Sequence, residues 1–158
     1  MPINRLLAVS ATMLFAVGYT QNSHLMKILG NALPADASPT LTDSCTSFLG
    51  FGPAVGIFEV SPEAAREAAG FKGRFADTPS WSQHGSMVEF AEVRSREIAG
   101  INATLLDGKD CLREMTAGAD EIMFGDTPGT YYSSPDQQVV IVLLSGDLGK
   151  GAIFIQSP

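Results

Sequence analysis

The sequence predicts a small single domain of the α+β class, with two or three helices and an antiparallel sheet that ends in a C-terminal β-meander. Its 158 residues are a one-domain length. Helix signals lie in the first two thirds, whereas residues 139–144 form an apolar, β-branched run too short for a helix. Helices and strands that separate along the chain in this way are typical of α+β folds.

The start of the chain has the composition of an export signal. Arg5 supplies positive charge, residues 6–17 are largely apolar, and Ala16–Gly18 offers a small-residue cleavage site. The run is shorter than the about 20 residues that a membrane-spanning helix needs. Because an apolar pattern resumes at residues 25–29, an uncleaved anchor and an ordinary buried N-terminal helix are the alternatives to a cleaved signal.

The chain is predicted to divide into three parts. Residues 1–18 are the signal peptide or anchor, residues 19–47 are an N-terminal segment and linker, and residues 48–158 are the globular domain. The linker prediction rests on residues 31–47, which are rich in Ala, Pro, Ser, Thr and Asp. The predicted location is periplasmic or secreted, with membrane contact only through the N-terminal segment.

Local patterns predict the first elements of the globular domain. A strand is expected over 55–60. Residues 61–63 (Ser-Pro-Glu) then have the hydroxyl, proline and carboxylate of a helix start, and Gly70 is the expected end of that helix. Residues 71–75 suit a short strand, and residues 77–85 suit a polar loop.

The remaining elements follow from similar signals. A capping box at residues 86–89 favours a helix up to Gly100, and a strand is the alternative reading of the same residues. A strand over 101–106 and a helix capped by Asp107 come next. Residues 130–156 are interpreted as an antiparallel meander with a buried central strand.

The charge of the chain limits its partners. The net charge is −7, and the basic residues form no cluster. Such a surface repels phosphate backbones, so nucleic acid is not an expected partner. The glycine-rich stretches at 50–56 and 146–151 lack the strand–loop–helix order of nucleotide-binding loops, so no cofactor is expected. The expected partner is another extracytoplasmic protein.

The two cysteines, Cys45 and Cys111, predict a disulfide, with two buried thiols as the alternative. Such a bond would close a loop of about 67 residues and stabilise the domain by about 4 kcal/mol. Together with His24 and His84, the cysteines match no compact zinc-ligand spacing, so no metal site is expected.

Few residues are candidates for function. His84 is the histidine best suited to act as a general base, although a surface histidine in a polar loop is the simpler interpretation. Trp81, Tyr131 and Tyr132 are the aromatic candidates for a binding surface, because amphipathic rings are common at interfaces. More often, however, a single tryptophan fixes its loop to the core.

These observations favour a non-enzymatic binding or accessory module that acts outside the cytosol. The alternative is a small extracytoplasmic hydrolase that uses His84 with a carboxylate or a serine. An enzyme should have a pocket in which His84 meets an acid or a nucleophile. A binding module should instead have an exposed apolar or aromatic patch.

Overall fold

A computed structural model of the protein describes residues 22–46, 54–96, 111, 115, 128–134, 140–145 and 149–156. The strands are β1 (Thr40–Thr46), β2 (Ala54–Glu59), β3 (Trp81–His84), β4 (Gly129–Ser134), β5 (Val140–Ser145) and β6 (Lys150–Ile155). The helices within these ranges are α1 (22–32), α2 (Pro62–Ala69), α3 (Arg74–Asp77) and α4 (Met87–Arg94).

The six strands form one sheet in the order β1-β2-β6-β5-β4-β3, and every neighbouring pair in it is antiparallel. β4, β5 and β6 are the predicted C-terminal meander. β2 pairs with β6 and so joins the first strand pair to the meander. The prediction of a small α+β domain is therefore confirmed.

Each face of the sheet carries an apolar layer, because successive side chains of a strand point to opposite sides. One layer, here the α4 face, contains Val55, Ile57, Met87, Phe90, Ala91, Cys111, Tyr131, Ala152 and Phe154. The other, here the α1 face, contains Leu25, Leu29, Leu33, Ala37, Phe58, Ala64, Ala68, Phe75, Trp81, Ile153 and Ile155. Burial on both sides explains why β2 and β6 are apolar at nearly every position.

α1 is a core helix of the α1 face. Leu25, Leu29 and Leu33 recur at helical spacing and are buried against the sheet. The indole Nε1 of Trp81 donates a hydrogen bond to the Ala32 carbonyl at the end of the helix, at 3.2 Å. Within residues 25–29, Leu25 and Leu29 therefore pack inside the domain, whereas Lys27 is exposed. The predicted leader, residues 1–18, lies outside the described residues.

Gly56 in β2 allows this close packing. A Cβ atom at this position would lie 2.7 Å from Cδ1 of Leu41 and 3.2 Å from Cγ2 of Ile153. Cδ1 of Leu25 would be 3.4 Å away. Side chains of α1 and β1 thus converge on Gly56, where any larger residue would have to displace Leu41.

The linker predicted within residues 19–47 is wrong where the structure describes it. Leu33 and Ala37 are buried, and Thr40–Thr46 form a strand paired with β2. The amide of Ser61 donates to the carbonyl of Ala37 at 2.8 Å, which ties the segment to the start of α2. The small polar residues of this segment form a packed turn and an edge strand. Turns and edge strands have a composition similar to that of linkers, which is why the sequence predicts a linker here.

α2 confirms the helix start predicted at Ser61. The Ser61 hydroxyl accepts a hydrogen bond from the amide of Ala64 at 3.3 Å, and Gly70 is the C-cap residue. The short strand predicted over 71–75 is wrong. Phe71 has a φ of 45° in a turn, and Phe75 lies in α3 with its side chain buried.

The polar loop predicted over 77–85 is wrong in its second half. Trp81–His84 form β3, which pairs with β4. The polar residues Ser82 and Gln83 are typical of a loop. The segment is a strand because it pairs with β4, and no local sequence pattern predicts that pairing.

α4 confirms the predicted helix as far as Arg94. The Ser86 hydroxyl accepts a hydrogen bond from the amide of Glu89 at 3.2 Å, and the Glu89 carboxylate accepts from the amide of Gly85 at 2.6 Å. The predicted capping interactions are therefore present, with Gly85 as the backbone partner. Residues 97–106, which include the next predicted strand, lie outside the described residues.

The outer edges of the sheet carry features that limit further strand pairing. The amide of Trp81, at the start of β3, donates to the Thr78 carbonyl at 3.0 Å, and the amide of Gly85 after the strand is bound by Glu89. At the opposite edge, the register of β1 shifts at Thr42, whose hydroxyl donates to a β2 carbonyl at 3.2 Å. Occupied amides and bulges are the means by which natural sheets protect their edges.

Cys45 and Cys111 form the predicted disulfide, with their Cα atoms 5.7 Å apart. The bond joins β1 to a helical residue that packs on the α4 face, so it fixes an edge strand to the layer that covers the sheet. A structural disulfide is typical of an oxidising, extracytoplasmic environment. None of the described helices is long and apolar enough to cross a bilayer.

Replacing both cysteines by alanine should lower the free energy of unfolding by about 2–5 kcal/mol, because the unfolded chain then regains the entropy that the bond removes. Urea denaturation with and without a thiol reductant measures this. Reductant should destabilise the wild type by a similar amount and leave the double variant unchanged. A wild type that is insensitive to reductant under conditions that break the bond would contradict the assignment.

Leu29→Ala should cost about 2–5 kcal/mol, because it removes a fully buried side chain of α1. Its neighbour Gly30→Ala is the matched control. A Cβ at Gly30 meets nothing within 4 Å, so this change should stabilise the helix by about 0.5–1 kcal/mol. Chemical denaturation of the two variants gives both values. Equal effects would show that α1 contributes no core packing.

Candidate functional site

The four aromatic and histidine candidates lie on the adjacent strands β3 and β4. Trp81 is paired with Tyr132, and His84 is paired with Gly129. Because side chains alternate, Trp81 and Tyr132 lie on the α1 face, whereas His84 and Tyr131 lie on the α4 face. The sequence candidates therefore form two separate groups.

On the α1 face, Trp81 and Tyr132 make contacts that stabilise the fold. Trp81 is 5 % exposed, and its ring lies 5.0 Å from Phe75 and 5.2 Å from Tyr132. Its indole N–H is bound to the carbonyl of Ala32. Trp81 thus fixes α1 and α3 to the sheet, and Tyr132 is the half-buried ring beside it.

The group on the α4 face is an aromatic cluster around Tyr131. The Tyr131 ring stacks on Phe90 with centroids 4.8 Å apart and meets the edge of His84 at 5.6 Å. His84 also contacts Phe90 at 5.4 Å. Tyr131 is fully buried, so burial raises the pKa of its phenol, and the nearby Glu89 adds to this effect. The phenol is therefore protonated at neutral pH.

His84 meets a serine, as one of the sequence hypotheses requires. Its Nε2 lies 3.0 Å from the Ser82 hydroxyl, two residues away on the same side of β3. Burial lowers the pKa of His84; Glu89 opposes the shift and Arg94 adds to it. The imidazole is therefore largely neutral at pH 7, the state in which it can accept a proton from a hydroxyl.

The acid that would complete a catalytic triad is not in place within the described residues. Glu89 influences His84 through its charge, but its carboxylate binds the amide of Gly85 at 2.6 Å. In none of the described hydrogen bonds does the imidazole of His84 donate to a carboxylate. Such a group normally orients the base in serine catalysis.

A pocket of about 250 Å³ opens where β3 and β4 meet the end of α2. It is lined by Ala68, Ala69, Gln83, His84, Gly85, Pro128, Gly129 and Thr130, and we call it the edge pocket. Gln83 Nε2 donates to the carbonyl of Ala69 at 3.3 Å, and the Thr130 hydroxyl donates to that of Ala68 at 2.9 Å. These bonds hold the last turn of α2 against the strands.

The described lining of the edge pocket carries no charged side chain. Among the residues that the structure describes there, none is Asp, Glu, Lys or Arg, and His84 is the only ionisable one. Ser82, the serine that contacts His84, is not part of the lining. Among the described residues, no group of three or more His, Cys, Asp and Glu could hold a metal ion.

Comparisons with protein-family models, with curated proteins and with solved structures found no match to this chain.

Sequence reasoning found His84 but not the edge pocket. Gln83 and Thr130 contact the end of α2 only after β3 and β4 have paired, so no local pattern reveals them. The contact of Ser82 with His84 is different, because residues two apart on a strand share a face. It would have followed from recognising β3 in the sequence.

The lowered pKa of His84 predicts a pH-dependent contribution to stability. The folded-state pKa lies below about 6.5, the value at which an unfolded histidine titrates. At pH values between these two pKa values, the unfolded chain binds more protons than the folded one. The contribution is complete above about pH 6.5 and is lost as the pH falls through the folded pKa. His84→Gln should flatten this part of the profile.

Urea unfolding of the wild type and of His84→Gln across this range measures the effect. The exposed His24, replaced by glutamine, is the control and should leave the profile unchanged. If the His84→Gln variant keeps the wild-type dependence on pH, the burial of this imidazole does not control it.

Proposed function

We propose that this protein is an exported or membrane-tethered, non-enzymatic binding module whose partner is another extracytoplasmic protein. The leader-like first eighteen residues and the disulfide between Cys45 and Cys111 support action outside the cytosol.

The observation that carries the binding role is the edge pocket. Its walls are small residues and backbone, its hydrogen-bonding side chains are held by the carbonyls of α2, and it is open at the side of the sheet. A preformed, neutral cleft of this kind suits an uncharged side chain or a loop of a protein partner. Trp81 and Tyr131 are buried, so we assign the partner contact to the pocket, whose lining includes the half-buried His84, and to the half-buried Tyr132 on the same strand as Gly129 and Thr130.

One specific contact favours the alternative of a small hydrolase. The Ser82 hydroxyl is 3.0 Å from Nε2 of His84, which is the distance between a nucleophile and its base. Two observations favour binding over hydrolysis. Ser82 does not line the edge pocket, and the Glu89 carboxylate is bound to the amide of Gly85.

Site-specific photocrosslinking in the native host tests the binding role. A photoreactive residue at Gln83, in the edge pocket, should yield an adduct of defined mass, whereas the same residue at the exposed Glu92 on α4 should not. Ala69→Leu should fill the pocket and reduce the adduct about tenfold, which corresponds to about 1.4 kcal/mol of binding energy. Ala76→Leu, an equal change at an exposed alanine of α3, is the matched control.

A different result would replace the proposal. Equal crosslinking from both positions, or an adduct that Ala69→Leu does not reduce, would contradict a partner site in the pocket. Labelling of Ser82 by a fluorophosphonate, lost in His84→Ala, would favour the hydrolase.

A further inference from the structure

Two buried hydroxyl groups on the α4 face have no hydrogen-bond partner within the described part of the chain. They belong to Tyr131, which is 0 % exposed, and to Ser145, which is 1 % exposed. A buried hydroxyl without a partner is costly, and native proteins nearly always satisfy such groups with a protein atom or a bound molecule. The packing of the fold alone does not explain why two such hydroxyl groups lie on the same face of the sheet.

The strand register brings the two hydroxyl-bearing residues to the same corner of the sheet. Tyr131 pairs with Leu143, and Ser145 lies two residues further along β5 on the same face. Ser145 is therefore a diagonal neighbour of Tyr131, a distance that an aromatic side chain can span. On the other side, the ring of His84 lies 5.6 Å from the ring of Tyr131.

Gly129 lies between these polar residues. It pairs with His84 on β3, and continuing the register of β4 with β5 places it opposite Ser145. Glycine contributes no side chain, so His84, Ser145 and Tyr131 border a position on the α4 face that has none of its own. Gly129 and His84 also line the edge pocket, whose contacts with Ala68 and Thr130 lie on the opposite, α1 face.

The groups at this corner are suited to a neutral ligand. Lys150, the cross-strand partner of Ser145, forms an ion pair with Glu59 at 3.6 Å, so its charge is balanced. Glu89 and Arg94, of opposite charge, also lie near His84. Burial lowers the pKa of His84, with Glu89 opposing and Arg94 adding to the shift, and burial together with Glu89 raises that of Tyr131, so both side chains are uncharged at neutral pH. Hydroxyl and imidazole groups can each donate or accept a hydrogen bond, as a ligand hydroxyl can.

We propose that Tyr131, Ser145 and His84 around Gly129 form a binding site for one neutral hydroxyl group, which hydrogen-bonds to both buried hydroxyls. The group comes either from a bound water molecule or from a small alcohol. The site shares His84 and Gly129 with the edge pocket, but the two buried hydroxyls support it independently of the protein contact proposed above.

Thermal unfolding of Tyr131→Phe, Ser145→Ala and the double variant tests the site, with the disulfide intact. If one bound group bridges the hydroxyls, each single change lowers the melting temperature, and the double variant loses less than the sum. If the hydroxyls have no partner, each change raises the melting temperature additively, and the proposal is overturned. Thr42→Val is the control, because its hydroxyl binds the Ile57 carbonyl at the opposite edge of the sheet and should combine additively with Tyr131→Phe.

Two further measurements distinguish the sources of the hydroxyl. A long-lived water gives a nuclear Overhauser effect to the Tyr131 ring protons that disappears in Ser145→Ala. An alcohol site is indicated if ethylene glycol raises the melting temperature of the wild type more than that of Gly129→Ala. Either result supports the site. Absence of both, together with additive effects of Tyr131→Phe and Ser145→Ala, would overturn it.

Discussion

The antiparallel pairing of β2 with β6 holds the domain together, because both buried layers contain residues of both strands. Val55 lies opposite Phe154 on the α4 face, and Ile153 packs on the α1 face beside Phe58. The pairing joins segments that are far apart in the chain, so its entropic cost is high and its apolar burial must offset that cost. Without it, β1 would lose its connection to the meander, and both helical layers would lose their central support.

An element of this fold could be predicted when the sequence pattern that specifies it lies within a few neighbouring residues. The meander and α2 are visible locally, since β-branched runs and the Ser-Pro-Glu start specify them within a few residues. β1 and β3 are edge strands with one partner each, and their polar residues resemble loops. The partnership of β2 with β6 depends on tertiary contacts, which no window of the sequence contains.

The candidate site shows the same division. His84 stands out by composition, and its contact with Ser82 needs only the spacing of a strand. Trp81 could be read as an anchor to the core or as an interface residue, and only the position of α1 decides that it binds Ala32. The edge pocket and the corner at Gly129 arise where three elements meet, so they become visible only in the assembled sheet.

The central position of β6 has a consequence for how the molecule is made. A chain that emerges amino end first, from a ribosome or a secretion pore, delivers α1, β1 and β2 long before residues 150–155. Until those residues arrive, β2 has only the edge strand β1 beside it, and neither helical layer can close. The central strand pairing of the sheet therefore becomes possible only when the last strand of the chain is available.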